Sequence, residues 1–356
     1  MLTYCEFIIN IKLNKVKIIS TSFLLSIYLS INITLYSQKN DSTISSKLIQ
    51  NTIISGQYFM AYNYNDGEDL HNFLLKRGYF TLKTDIDEVF SVRYTQDITL
   101  DEEGEDSGNI ELRLKYLYLK AKMNSFLFFT NSYVELGVVH TPWIDFEQNI
   151  NQYRVQGKMF SERFDLLNSA DFGITMAGLI GGEIDKEYQN EVNNKEPGKY
   201  GSFALGFFNG GGYYNIEENS NKTFQSRLTL RPLPDKIPGL QLSHGFAYGK
   251  VNKNDSIPVP DYIANLFMLS SESKFHKLTA QYHIGTGDFE GKYVDATSNE
   301  GYDNEGYSFF GEFLIPNSNF AVFSRYDHFK IYEATTISTE TIIAGLTYRF
   351  LKNKLL

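Results

Sequence analysis

Cysteine, tryptophan and proline are nearly missing from this chain: one Cys, one Trp and eight Pro in 356 residues. A lone thiol, Cys5, excludes an internal disulfide framework and a thiolate metal cluster. The six histidines, His71, His140, His244, His276, His283 and His328, never recur at a metal-ligand spacing such as HExxH, which points away from a metalloenzyme. Positive charge is in deficit as well. With 33 Lys and Arg against 42 Asp and Glu the formal net charge is −9, so no basic surface of the kind that binds nucleic acid is available. Long apolar runs are missing from the body of the chain, and with them the membrane helix. What is plentiful is Tyr (25), Phe (28) and Gly (27), the composition of strands that alternate between a lipid-facing and a water-facing side.

The amino terminus is the exception. Lys12, Lys15 and Lys17 precede an apolar and hydroxyl-rich run from Ile18 to Tyr36, followed by Ser37 and Gln38. That order of charge, apolar segment and small residue reads as a secretory signal over residues 1–37, with a polar leader over 38–52. Its removal takes away three Lys and one Glu, moves the net charge from −9 to −11, and removes the only thiol. No cofactor is implied by any motif.

From residue 53 to the end of the chain, period-two segments of roughly nine to thirteen residues follow one another, long enough for a tilted strand to cross a bilayer. Fourteen are visible, from Ile53–Asn63 to Glu340–Phe350. They predict an all-β fold, a transmembrane antiparallel β-barrel in the outer membrane. In IELRLKYLYLK the alternation places Ile110, Leu112, Leu114, Tyr116 and Tyr118 on the lipid side and Glu111, Arg113 and Lys115 on the other. Connections on one side are short, such as Asp85 to Glu88 and Pro316 to Ser318, and on the other long and polar, such as Thr286 to Glu305. Asp185 to Lys199 is long for the short side. After TIIAGLTYRF, the residues LKNKLL read as the start of a further strand, which implies a missing last hairpin; closure at fourteen strands with a short tail is the alternative.

Between the fifth and sixth segments the pattern stops for roughly thirty residues. Residues 142–170 carry Trp143, Ile144, Phe146, Tyr153, Val155, Met159, Phe160 and Phe164, too apolar for a solvated loop, and are expected to fold into the lumen as a constriction. Thr141 and Pro142 read as a cap and first turn of a helix, and Ser161 and Glu162 as the start of another turn. Taking the less apolar face of each strand as the inner one puts Arg77, Lys83, Arg93, Arg113, Lys115, Arg227, Arg231, Arg325 and Arg349 on the lumen, joined by Arg154, Lys158 and Arg163 from the loop. In a chain whose acids lie mostly in loops, these cations are the pore-lining and constriction candidates and favour anions. The competing role is bracing, in which they pair with Glu111, Glu135, Asp97 or Asp327. FFNGGGYYN, Phe207 to Asn215, reads as a flexible hairpin top, since it lacks the lysine of a phosphate loop.

RGYFTLK (Arg77 to Lys83), LRLKYLYLKA, TPWIDFEQNINQYR (Thr141 to Arg154), FSERFDLLNSADFGI (Phe160 to Ile174), FFNGGGYY and RLTLRPLP (Arg227 to Pro234) together resemble the phosphate-selective porin O and P family, in order and over most of the mature chain. The resemblance implies a sixteen-stranded passive porin, a homotrimer in the lipid bilayer, that carries small hydrophilic solutes with a preference for anions and has no catalytic step. It also implies Arg154 and Arg163 at the constriction, with Trp143 and Phe146 as anchors. Lys158 stands alone where a lysine cluster would argue for phosphate itself. The other classes to weigh are a non-conducting structural or adhesive outer-membrane barrel and, more distantly, a barrel lipase built around His244 or His283 with local serines.

Overall fold

Strict alternation with short turns leaves each strand only its sequence neighbours to pair with, and the fold follows that rule. A computed structural model describes residues 3–11, 48–65, 70–101, 107–254 and 258–350. Its strands are β1 (Thr3–Ile11), β2 (Thr52–Asn65), β3 (Leu70–Asp85), β4 (Phe90–Leu100), β5 (Ile110–Lys122), β6 (Phe129–His140), β7 (Ala170–Ile180), β8 (Gly201–Phe208), β9 (Thr223–Leu230), β10 (Leu240–Lys250), β11 (Asp261–Glu272), β12 (His276–Thr286), β13 (Asp303–Leu314), β14 (Phe320–Ile331) and β15 (Ile337–Tyr348). They form one antiparallel sheet in chain order. Strands β2 to β15 are the fourteen expected segments, displaced by a few residues at their ends. Three short helices interrupt them: α1 (Ile144–Ile150), α2 (Phe160–Arg163) and α3 (Lys186–Glu191). No helix among the described residues is long and apolar enough to cross a membrane.

The insertion expected at 142–170 separates β6 from β7, whose last and first residues pair as His140 with Ala170. Hydrogen bonds reach it from strands all around the sheet. Lys76 of β3 donates to the Val155 carbonyl at 3.2 Å, Arg227 of β9 to Pro142 at 2.9 Å, Tyr262 of β11 to Leu166 and Arg325 of β14 to Lys158 at 2.8 Å. In a flat sheet β3 and β14 would lie about 50 Å apart at the usual strand spacing. The sheet is therefore curled around the loop. Ile343 of β15 also packs beside Tyr153, so strands near both ends of the sheet approach the same few loop residues. Among the described residues β15 pairs with β14 alone, and the hydrogen-bonded sheet is not closed.

The loop is held on one side by an apolar seam. Trp143, Ile144, Phe146 and Ile150 pack against Ala247 of β10 and Ala264, Leu266 and Met268 of β11. The indole lies over Gly245, where a Cβ would meet its ring at 2.4 Å, so glycine there is a requirement of close approach. Burying four such side chains contributes about 1.5–3 kcal/mol each before entropy is counted, more than a single partly exposed ion pair supplies. Phe160 and Phe164 form a second seam with Phe329 of β14, Phe164 stacking on it at 4.3 Å between ring centroids. On the other face of the same strands Leu242, Phe267, Leu269, Phe309 and Val322 are about half exposed, an apolar belt suited to lipid.

Two expectations change. Thr141 does not cap α1, whose first flanking residue Trp143 makes no capping bond; instead the Thr141 hydroxyl donates to the Asn168 carbonyl and ties the two ends of the loop together. The glycine-rich Phe207–Asn215 segment is no free hairpin top. Gly212, at φ +83°, abuts Asn168 where a side chain would collide, and the next residue, Tyr213, reaches in to donate to Asp97 at 2.9 Å. The LKNKLL segment lies outside the described residues.

Of the 1–37 segment only Thr3–Ile11 is described, paired with β2 from Thr3 opposite Tyr62 to Ile11 opposite Ile54. A cleaved leader and a β1 retained in the mature sheet exclude one another. Mass spectrometry of the protein extracted from outer membranes is expected to find an amino terminus near Gln38; peptides covering Thr3–Ile11 would instead keep β1 in the sheet.

Candidate functional site: a cationic cavity between the loop and the wall

Because the loop is seated against β10, β11 and β14, space remains on the opposite side. There a cavity of about 630 Å³ lies between α1 with its following turn and the inner face of β2 to β5. Lys83, Arg93, Lys115, Arg154 and Lys195 line it, with Asp145 as the one carboxylate in the lining.

Two irregularities in the wall create this surface. Phe59 pairs with Arg77 but Met60 with Leu75, leaving Lys76 as an extra residue in β3. Thr95 pairs with Tyr116 but Gln96 with Leu114, leaving Lys115 as an extra residue in β5. Such a bulge adds a side chain to one face and reverses the alternation beyond it. Lys76 and Arg77 consequently both turn inward, as do Lys115 and Tyr116. The expectation that Tyr116 and Tyr118 face lipid is overturned: both are buried on the inner side, and Tyr118 joins Tyr116 in the cavity lining. Strict period two is the right rule for β5 only up to Lys115.

Lys115 is 4% exposed. Its amine donates to the Tyr79 hydroxyl at 3.2 Å and stands 4.6 Å from the centre of that ring; among the described residues no carboxylate pairs with it. Arg93 lies over the Tyr116 ring at 4.5 Å and donates to Thr95 and to His140 Nε2, each at 2.9 Å. His140 is a junction, with Nδ1 2.9 Å from Glu135 and Nε2 3.0 Å from Asp145. Its Nε2 either accepts from Arg93 or, when protonated, donates to Asp145. Lys83 and Lys195 are exposed.

Most of the other expected cations brace the interior. Asp97, fully buried, takes Arg113 at 3.1 Å and Arg77 at 3.5 Å. Asp327 takes Arg325 Nε at 2.8 Å, the Ser308 hydroxyl at 2.7 Å and, more loosely, Arg163 at 3.7 Å. Arg349 pairs with Glu312, which also accepts from Tyr153 at 2.7 Å. Arg227 pairs with Glu196 and lies 4.2 Å over Phe146, clamping α1 from beneath. Arg154 grips Glu162 with both guanidinium nitrogens across the loop. Arg231 donates to the Gly198 carbonyl at 3.2 Å, and Lys158 projects into solvent. Of the twelve expected residues, Lys83, Arg93, Lys115 and Arg154 therefore meet at the cavity, while Arg77, Arg113, Arg163, Arg227, Arg231, Arg325 and Arg349 tie wall and loops together.

Sequence reasoning missed Lys195. It comes from the 185–199 connection, whose length was the available signal. This segment folds back against the loop, Asn193 donating to the Asn149 carbonyl at 3.1 Å and to Glu272 at 3.0 Å. The two histidines considered for a hydrolase are apart: His244 faces outward against Phe267 at 4.8 Å, and His283 is buried inside with Asn304 at 2.6 Å.

No protein-family model matches the chain, and no curated protein does. Among solved structures it is similar to OmpF of Salmonella typhi, determined in complex with daunomycin, at 12% identity over 85% of this chain and 86% of that one with a TM-score of 0.54. It is also similar to outer-membrane expressed OmpT of Vibrio cholerae, at 9% identity over 84% and 83% with a TM-score of 0.51. The class these likenesses define is the outer-membrane β-barrel fold.

Two outcomes follow for the interior. Asp97→Asn leaves Arg77 and Arg113 without their shared acid and is expected to lower stability by about 3 kcal/mol, read by urea unfolding from lipid vesicles. Glu147 of α1 is buried beside Trp143 Nε1 at 3.2 Å and the Ser161 hydroxyl at 3.3 Å; burial raises its carboxyl from 4.5 to about 7. The docked loop then holds a proton that the undocked loop releases, so docking is strongest below about pH 4.5 and weakens as pH rises towards 7. Trp143 is the sole tryptophan, and its fluorescence reports this contact alone. The urea midpoint of that signal is expected to fall between pH 4.5 and 7 in the native protein and to stay level in Glu147→Gln.

Proposed function

We propose that this protein is an outer-membrane porin that lets small hydrophilic solutes diffuse down their gradients, with a preference for anions, along the passage between the 142–170 loop and the β2 to β5 wall. The observation that carries the reading is the charge of that lining, five cationic side chains against one carboxylate. Lysines without acid partners replace part of an anion's lost hydration, whereas an ion-paired arginine offers little net field. Anion preference thus rests on Lys83, Lys115, Lys195 and Arg93, and a catalytic step has no part in it. The resemblance to the phosphate-selective porin O and P family supports the same reading and adds a homotrimer; phosphate itself is one candidate solute among small anions.

Planar-bilayer recording tests this. Discrete conductance steps are expected, with a reversal potential on the anion side under a salt gradient. Deleting Gln148 to Arg163 is expected to raise the conductance severalfold, and Lys115→Ala to move the reversal potential towards zero. Silence in both the native and the deleted protein would instead identify a structural or adhesive barrel, and cation selectivity would remove the anion preference.

A further inference from the structure

A charge filter needs cations and width, and this cavity holds a good deal more. Facing the Arg93 and Lys115 side, the loop contributes a run of four amide-bearing or polar positions around one turn, of which Gln148, Asn149, Asn151 and Gln152 all reach the cavity. Each amide offers both donors and an acceptor, the pattern that complements a ring of hydroxyl groups and gives little to a spherical ion. Two donors at this surface are buried with no partner: Gln148 Nε2 and Arg154 Nε. A buried donor left unmade costs about 1–3 kcal/mol, so a turn of the Gln148 side chain that carries its Nε2 into the cavity and onto an acceptor of a guest is favoured. The volume, about 630 Å³, lies in the roughly 300–1,000 Å³ range of small-molecule sites, far more than an inorganic anion fills.

We propose that the cavity is a binding subsite for a monosaccharide that carries one anionic group, with the charge held by Lys115 and Arg93 and the hydroxyl body held by Gln148 and the neighbouring loop amides. The single carboxylate in the lining does not oppose this. Asp145 accepts from the Tyr116 hydroxyl at 3.2 Å and is outnumbered around the cavity by Lys83, Arg93, Lys115 and Lys195, leaving the cations to set the local sign. A neutral sugar would give the Lys115 and Arg93 charges nothing of opposite sign to meet, and a bare anion would leave the amides idle. The proposal rests on the porin reading for its route but is separable from it.

The test is block of single-channel current by D-glucuronate, D-glucose 6-phosphate, D-glucose, acetate and inorganic phosphate, each added to the native protein at equal ionic strength. Glucuronate or glucose 6-phosphate is expected to block at concentrations at least tenfold below glucose, acetate and phosphate; which of the two is stronger distinguishes carboxylate from phosphate as the anionic group. Gln148→Ala is expected to abolish the advantage of the acidic sugars over acetate while channels still open. Anion-selective channels that glucuronate and glucose 6-phosphate block no better than acetate or glucose overturn the proposal and leave the porin reading standing. Should the protein conduct nothing, the porin reading fails, and isothermal titration calorimetry with the same five compounds decides the subsite: saturable heat from the acidic sugars alone supports it, and none from any of them overturns it.

Discussion

The contact of the Trp143 indole with the bare backbone at Gly245 sets the layout of everything inside the curled sheet. A loop of this length has many ways to lie, and the one it takes places its large flat ring where the wall offers no side chain. Once Trp143 is down, Ile144, Phe146 and Ile150 follow onto the small inner residues of β10 and β11, and the polar face of α1 must look the other way. The aqueous space is thus confined to the β2 to β5 side by an apolar preference on the far side. The cavity is shaped by what is filled.

Charge is distributed by the same asymmetry. Where the loop touches the wall, arginines are matched by acids: the buried Asp97, Asp327 and Glu312 and the partly exposed Glu196 each hold at least one guanidinium and a hydroxyl as well. An unpaired charge there would sit in a dry seam at a cost of several kcal/mol. Where the loop leaves a gap, Lys83 and Lys195 are exposed to water and Lys115 turns to the Tyr79 hydroxyl instead of an acid. The bracing cations thus answer to acids, and most of the lining ones do not. All seven bracing cations are arginines, whose planar fork suits fixed pairing, whereas three of the five lining ones are lysines.

Much of this was legible beforehand. Period two located β2 to β15 within a few residues, and the apolar content of 142–170 marked a segment that had to find a surface; Trp143 and Phe146 are indeed its anchors. What could not be read was the identity of pairs separated by a hundred residues or more, such as Tyr153 with Glu312 or Tyr213 with Asp97, because curvature alone decides which strands face the loop at which height. Nor could the faces of Tyr116 and Tyr118. Alternation assumes one residue per step, and Lys115 occupies a step of its own only because β4 runs past it in register on both sides. The inward course of 185–199 announced itself by length, but its contribution of Lys195 did not.

The bulge at Lys115 also says something about how such a wall can change over time. In an alternating strand a point substitution repaints one position, whereas an added residue exchanges inside for outside along the whole remainder of the strand unless a bulge takes it up. With Leu117 and Leu119 on one side and Tyr116 and Tyr118 on the other, the second half of β5 is apolar enough on both faces to survive either assignment. Without Lys115 the strand would pair without a break and Tyr116 and Tyr118 would face inward all the same, so the extra residue adds a cation to the cavity while the bulge keeps the rest of the strand on its faces. The lining of this barrel is open to revision by length as readily as by sequence.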